Sequence, residues 1–156
     1  MSTTSVLAPV AGRAVPLSDV PDPVFSAGMV GYGAAVDPPQ EVVEAVAPVT
    51  GKVLKMLPHA YVIMTADNVG VLVHLGIDTV ALNGEGFTTH VGQGDQVTAG
   101  QKVITYDVPA IVAKGLNPIV PVVVMDEREA SNVTPAEAVL EGAVLASGDD
   151  LFTAHK

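Results

Sequence analysis

Hydrophobic and polar positions alternate along this chain in short runs rich in valine, isoleucine and threonine, and proline or glycine interrupts them every few residues. Alternation of β-branched residues favours strands, and frequent proline and glycine disfavour long helices. The pattern predicts strands at Ser5–Val10, Ala14–Leu17, Ala34–Val36, Glu44–Ala47, Gly51–Met56, Ala60–Thr65, Gly70–Leu75, Phe87–His90, Lys102–Tyr106, Pro121–Val124, Ala143–Leu145 and Leu151–Thr153.

Helix is predicted only as short turns, at Val24–Ala27, Val108–Lys114 and Pro135–Leu140, the last with Thr134 as its N-cap. The segment Leu7-Ala-Pro-Val-Ala-Gly12 returns as Val46-Ala-Pro-Val-Thr-Gly51, which indicates an internal duplication. In Gly94-Asp-Gln-Val-Thr-Ala-Gly-Gln101, two tight turns flank a short strand. The predicted fold is therefore all-β, an antiparallel β-sandwich or flattened barrel with internal duplication.

Composition narrows the class of protein. The length of 156 residues suits one domain over 1–156, with residues 1–4 expected to be loose. No cysteine is present, so disulfides and cysteine-ligated metals are excluded, and nothing contradicts a cytoplasmic location. No secretory signal pattern or membrane-spanning run is recognised. The net charge of −10 disfavours nucleic acid and anionic lipid as partners.

Two histidines lie in apolar strand sequence and are the candidates for chemistry. Within Gly70–Leu75 the period of two places Val71, Val73 and Leu75 on one face and Leu72, His74 and Gly76 on the other. His59 opens the preceding strand, and the turn Ala66-Asp-Asn-Val69 places it across a hairpin from His74. Each could be a hydrogen-bonded structural histidine. His90 is interpreted as an exposed strand residue and His155 as part of the tail, and neither is assigned chemistry.

A histidine pair permits phosphoryl transfer without a metal, with His74 as the nucleophile and His59 as a supporting donor. A backbone carbonyl, such as that of Gly76, would hold the proton on the other ring nitrogen of His74. Gly76 is expected to leave open space beside the imidazole, so that a docking partner can approach closely at Gly76 and Leu72. Val24, Phe25, Leu72 and Leu75 are expected to exclude water, and Asp78 is either a turn aspartate or an acid on a docking rim.

The residues around His74 resemble a known family, the glucose-type enzyme IIA domain of the bacterial sugar phosphotransferase system. The most specific part is Val73-His-Leu-Gly-Ile-Asp-Thr-Val80 followed by Leu82-Asn-Gly-Glu-Gly-Phe87. The resemblance extends through Ala8-Pro-Val-Ala-Gly12, Asp19-Val-Pro-Asp-Pro-Val-Phe25, Gly31-Tyr-Gly33, Ala47-Pro-Val-Thr-Gly51, Pro58-His-Ala60, Gly94-Asp-Gln-Val97 and Tyr106-Asp-Val-Pro109.

This resemblance implies an antiparallel β-sandwich of the duplicated hybrid motif type and a role as phosphocarrier in sugar transport. Phosphorylated HPr would donate its phosphoryl group to His74, which would pass it to a cysteine of the IIB domain of a glucose or N-acetylglucosamine-type IICB permease. The protein would contact the membrane only through this permease. His59 would support the reaction. Val24, Phe25 and Asp78 would belong to one docking surface used by both partners. No cofactor is expected; zinc would bridge His59 and His74 only if a partner supplied more ligands.

Two departures from the family pattern bear on partner specificity. The family often has a hydroxyl residue two positions before the supporting histidine, where this chain has Leu57, and often reads Gly-Asp-Gly where this chain has Gly31-Tyr-Gly33.

Other classes fit less well. A biotinyl or lipoyl carrier needs a lysine hairpin motif that is absent around Leu54-Lys-Met56, and a lysostaphin-type zinc peptidase needs a His-x-His pair that is absent. A module that binds and regulates transporters or metabolic enzymes in its unphosphorylated form remains an alternative.

Overall fold

The computed structural model describes residues 3–125 and 127–155, and this part of the chain is built mainly of short strands. The prediction of an all-β fold with only short helices is confirmed. The helices are α1 (Pro23–Ser26), α2 (Val108–Ala113) and α3 (Glu137–Glu141), with 3₁₀ turns at Leu17–Asp19, Thr79–Leu82 and Ala130–Asn132. The strands are β1 (Thr3–Leu7), β2 (Gly12–Pro16), β3 (Gly31–Asp37), β4 (Val42–Val46), β5 (Gly51–Leu57), β6 (Ala60–Met64), β7 (Gly70–His74), β8 (Phe87–Thr89), β9 (Gln96–Val97), β10 (Lys102–Asp107), β11 (Val120–Met125), β12 (Val133–Pro135), β13 (Val144–Leu145) and β14 (Asp150–His155).

The strands form one large sheet and two small ones. The large sheet has the order β13-β2-β3-β11-β7-β6-β5-β9, and the small sheets have the orders β1-β14-β12 and β4-β10-β8. Every strand pair in the described part of the chain is antiparallel. Strand β7 lies inside the large sheet between β11 and β6, so its end, where His74 lies, is held from both sides.

The predicted internal duplication appears as reciprocal backbone hydrogen bonds between the two repeated segments. The amide of Leu7 donates to the carbonyl of Pro48 at 2.9 Å, and the equivalent amide of Val46 donates to the carbonyl of Pro9 at 2.8 Å. The two segments therefore pair as equivalent halves of the fold.

Two hydrophobic clusters lie on opposite faces of β7. The main core contains Val71, Val73 and Leu75, together with the large buried side chains Tyr61 and Tyr106. A smaller cluster contains Phe25, Ile77, Ile119 and Val123, with Leu72 packed against it. This separation confirms the predicted facing of β7 and places His74 on the side of the smaller cluster.

Two local predictions are wrong. Thr3 and Thr4 are not loose, because they pair with His155 and Ala154 in β14; Met1 and Ser2 lie outside the described residues. Thr134 does not cap a helix, because it lies in β12, which the sequence pattern did not predict, and its hydroxyl is 2.9 Å from the ring Nε2 of His155. Helix α3 instead begins after Ala136, which makes no side-chain cap. In both places, pairing with the distant strand β14 decides the conformation.

The Tyr61 hydroxyl is buried and donates to the carbonyl oxygen of Val46 at 2.7 Å. We predict that Tyr61→Phe lowers the free energy of unfolding by about 1–3 kcal/mol, because the buried carbonyl loses its donor. Tyr32→Phe is the matched control, since the Tyr32 hydroxyl makes no hydrogen bond within the described residues. Urea denaturation measures the free energy of unfolding of both variants. Equal losses would contradict a stabilising hydrogen bond from Tyr61 to the Val46 carbonyl.

Candidate active site

His74 is the last residue of β7, and its ring lies against the rings of two other residues. The His74 and His59 ring centroids are 5.1 Å apart with the planes at 74°, and the His74 and Phe25 centroids are 5.2 Å apart. The structure thus brings together the two histidines and one of the predicted apolar neighbours.

The two histidines meet because of the register between β6 and β7. Ala60 pairs with His74, and the amide of Leu75 donates to the carbonyl of His59 at 2.7 Å. His59 itself lies in the two-residue turn between β5 and β6 and is 7% exposed. The predicted hairpin arrangement of the pair is therefore confirmed.

One ring nitrogen of His74 is committed to the backbone. Nδ1 lies 2.6 Å from the carbonyl oxygen of Gly76. A carbonyl oxygen can only accept a hydrogen bond, so Nδ1 carries the proton in the neutral ring. Nε2 is then left with its lone pair, and it makes no hydrogen bond within the described residues.

Three further hydrogen bonds fix the backbone that presents the Gly76 carbonyl. The amide of Gly76 donates to the carbonyl of Ile119 at 3.1 Å, and the amide of Ile77 donates to the carbonyl of Asn117 at 2.9 Å. The buried hydroxyl of Thr79 donates to the carbonyl of Leu75 at 2.7 Å. The acceptor of the His74 proton is therefore held by the segment before β11 as well as by its own turn.

Gly76 does not leave open space beside the imidazole, so that expectation is wrong. A Cβ at this position would lie 2.5 Å from Cγ2 of Thr79 and 3.0 Å from the hydroxyl of Tyr106. Its φ of +84° is also a conformation that favours glycine. Glycine is needed here for a close approach of the chain to its own core, and Gly76 is buried rather than available to a partner.

Helix α1 contains Val24 and Phe25, two of the predicted apolar neighbours of His74. The Asp22 carboxylate accepts a hydrogen bond from the amide of Val24 at 2.9 Å and so caps this single turn. The turn buries Phe25 against His74 and leaves Val24 43% exposed. Leu72 is half-buried beside His74, whereas Leu75 lies in the main core on the opposite face and cannot cover the ring, which corrects its predicted role.

Burial governs the protonation of both rings. Desolvation lowers the pKa of His74 from its ordinary 6.5, opposed by the hydrogen bond to Gly76 and by the negative charges of Asp22 and Asp78. Desolvation also lowers the pKa of His59, and the charge of His74 lowers it further. Both imidazoles are therefore neutral at pH 7, the form in which Nε2 is a nucleophile.

A cleft of about 240 Å³ opens beside the pair and is lined by Lys55, Leu57, His59, Leu72, His74 and Met125, among others. Asp78 is exposed and has a φ of +61°, and its side chain makes no capping hydrogen bond. Its negative charge acts on His74, so its side chain lies at the edge of the site. Asp22, Lys55 and Met125 were not predicted as site residues. Asp22 had a detectable signal, an aspartate directly before proline and an apolar turn.

The histidines do not form a metal site on their own. No group of three or more histidine, cysteine, aspartate or glutamate side chains suited to a metal ion occurs in residues 3–125 and 127–155. Two imidazoles fall short of the four ligands of a structural zinc site.

Comparison with known proteins agrees with this geometry. The family model of the phosphoenolpyruvate-dependent sugar phosphotransferase system EIIA 1 matches residues 4–130. The chain belongs to this EIIA 1 family. It is therefore a phosphocarrier component of the sugar phosphotransferase system, and the predicted resemblance is confirmed.

Individual EIIA relatives cover most of the chain. The glucose-specific EIIA component of Oceanobacillus iheyensis is 39% identical over 138 residues, which are 85% of this chain and 82% of that protein. The mannose-specific EIIBCA component of Corynebacterium glutamicum is 45% identical over 119 residues, which are 76% of this chain and 17% of that larger protein. The solved structure of the glucose permease IIA from Mycoplasma capricolum superposes with a TM-score of 0.85 at 31% identity, covering 98% of this chain and 96% of that one.

Among the described residues of this EIIA chain, no helix has the length and apolar character needed to cross a membrane.

The lowered histidine pKa values make the stability of this EIIA domain depend on pH. Between the folded pKa values and 6.5 the unfolded chain binds more protons than the native one, so the free energy of unfolding rises with pH. We predict that the fold is less stable at about pH 5 than at about pH 7.5, and that the double variant His59→Gln, His74→Gln loses less over the same interval. Urea denaturation at each pH measures the free energy of unfolding. Equal losses in the natural sequence and in the double variant would contradict the assignment of both histidines as neutral.

Gly76→Ala tests the turn that holds the Gly76 carbonyl. We expect a loss of about 1–3 kcal/mol in the free energy of unfolding, from backbone strain and the contact with Thr79, and a change in the ¹⁵N shift of His74 Nδ1. Gly100→Ala is the matched control, because Gly100 has a φ of +89° but open space around its Cβ position. If Gly76→Ala leaves the His74 nitrogen shifts as unchanged as Gly100→Ala does, this role of the turn is wrong.

Proposed function

We propose that His74 accepts a phosphoryl group from phosphorylated HPr and passes it to a cysteine of the IIB domain of a glucose or N-acetylglucosamine-type permease. The observation that carries this proposal is the hydrogen bond between Nδ1 of His74 and the Gly76 carbonyl, which leaves the Nε2 lone pair free beside an open cleft. The similarity to glucose-specific EIIA components supports the same assignment.

The first transfer forms a bond between phosphorus and Nε2 of His74 while the bond from phosphorus to the donor's nitrogen breaks. The Nδ1 proton stays on the ring, so the phosphorylated imidazole carries a positive charge, and its Nδ1–H keeps the hydrogen bond to the Gly76 carbonyl. In the second transfer a cysteine sulfur attacks the phosphorus and the bond to Nε2 breaks. Both steps need in-line positioning and donors around the phosphoryl oxygens.

His59 is proposed to assist rather than to carry the group. Its ring stands edge-on to His74, within reach of a group bound at Nε2. Its neutral ring can donate one hydrogen bond to a phosphoryl oxygen. Such a donor is of most use where the group leaves His74, because charge redistributes over the phosphoryl oxygens at that stage.

The docking surface is proposed to be the rim of the same cleft. Leu57 and Met125 line the cleft and are 38% and 37% exposed, and Val24, 43% exposed, precedes the Phe25 that contacts His74. Exposed apolar side chains grouped around a reactive residue are typical of a surface that a partner covers, and they would exclude water from the phosphohistidine. Asp22 and Asp78 at the edge would attract a basic partner. Residues 1–156 would act as one EIIA domain, in the cytoplasm.

Incubation with phosphoenolpyruvate, enzyme I and HPr tests the proposal. We expect one acid-labile, base-stable phosphate per chain, and none in His74→Ala. Absence of the adduct in the natural sequence, or its survival in His74→Ala, would rule out His74 as the carrier.

His59→Gln separates acceptance from donation. We expect this variant to accept phosphate and to lose about 10²-fold or more in the rate of onward transfer to the IIB domain, the usual loss when a positioned donor is removed. Rapid-quench measurement of each half-reaction distinguishes the two steps. Unimpaired onward transfer would show that His59 takes no part.

A further inference from the structure

A β-bulge in β5 turns Lys55 toward the cleft. Lys52 pairs with Met64 and Lys55 with Val62, and the register shifts between Val53 and Lys55, leaving Leu54 as the extra residue. In a regular strand without a bulge, alternation from Lys52 would place Lys55 on the core face together with Val53. Because the bulge takes up Leu54, Lys55 instead shares the face of its partner Val62.

That face is the one that carries His74. Val62 pairs with Leu72 across β6 and β7, and Ala60 pairs with His74, so these side chains lie on the same side of the sheet. Lys55 lines the same cleft as both histidines, and it is the one cationic side chain among the described lining residues. The bulge therefore brings a single positive charge to the reactive pair.

The charge of Lys55 is not used elsewhere. Lys55 takes part in neither the His90–Glu44 nor the Lys114–Glu85 ion pair, and it makes no other ion pair within residues 3–125 and 127–155. A phosphoryl group brings a charge of roughly −1.5 to −2 and three acceptor oxygens. The other residues named in the cleft lining are apolar or are histidines in neutral form, so an incoming dianion meets no other fixed positive charge there.

We propose that the ammonium group of Lys55 binds the phosphoryl oxygens of phosphorylated His74. This role rests on the function proposed above and deepens it. A lysine offers three donors on a flexible stem and acts on phosphate as a mobile point charge. It stabilises the phosphorylated form and follows the oxygens through the loose transition state of each transfer, while no bond to Lys55 forms or breaks.

Titration of the phosphoryl group itself tests this proposal. The natural protein, Lys55→Met, Lys55→Arg and Lys52→Met are phosphorylated with phosphoenolpyruvate, enzyme I and HPr, purified away from them, and followed by ³¹P NMR against pH. Lys52→Met is the matched control, because it removes the same charge from the same strand on the other side of the bulge, beside a different groove.

A nearby cation favours the dianion, so we expect Lys55→Met to raise the phosphoryl pKa by roughly 0.5, a modest effect for an exposed charge. Lys55→Arg should retain the natural value, and Lys52→Met should leave it unchanged. Lys55 is exposed, so its replacement is not expected to disturb the fold.

Other outcomes overturn the proposal in distinguishable ways. Slower phosphorylation of Lys55→Met by HPr with an unchanged phosphoryl pKa would assign Lys55 to partner docking alone. Equal shifts in Lys55→Met and Lys52→Met would reflect only net charge. Absence of a phosphohistidine signal in the natural protein would contradict the proposed function itself.

Discussion

The hydrogen bond between Nδ1 of His74 and the Gly76 carbonyl is the constraint on which the site depends. It selects one tautomer, fixes the ring plane and leaves Nε2 as the available nucleophile. Three hydrogen bonds hold the backbone around that carbonyl. The amides of Gly76 and Ile77 donate to the carbonyls of Ile119 and Asn117, and the buried hydroxyl of Thr79 donates to the carbonyl of Leu75. A glycine at 76 is required because the chain there passes directly over Thr79 and Tyr106.

The surroundings of His74 balance two opposing electrostatic effects. The apolar cluster around Phe25 and Leu72 removes water and favours the neutral ring, whereas Asp22 and Asp78 favour its protonated form. Desolvation is the larger effect, so the ring stays nucleophilic at neutral pH while acidic groups remain at the edge. A carrier needs this combination, since the same surface has to exclude water and attract a partner.

The local sequence pattern was sufficient to predict much of this structure. Alternation within β7 and the length of the turn between β6 and β7 determine that His59 and His74 lie next to each other. Features that depend on distant segments were missed. Strand β12 exists because Thr134 pairs with Thr153, and the role of Gly76 depends on Tyr106 and Asn117. The bulge at Leu54 could not be predicted either. Strict alternation assumes that every strand residue has one partner, and the extra residue is recognised only from the pairing of β5 with β6.

The position of the phosphorus atom on the imidazole ring tests the central claim most directly. In protein labelled with ¹⁵N-histidine and then phosphorylated, ³¹P–¹⁵N coupling identifies the nitrogen that carries the group. The account predicts coupling to Nε2 of His74, with Nδ1 still protonated and bonded to the Gly76 carbonyl. Coupling to Nδ1 of His74, or to any nitrogen of another histidine, would contradict it.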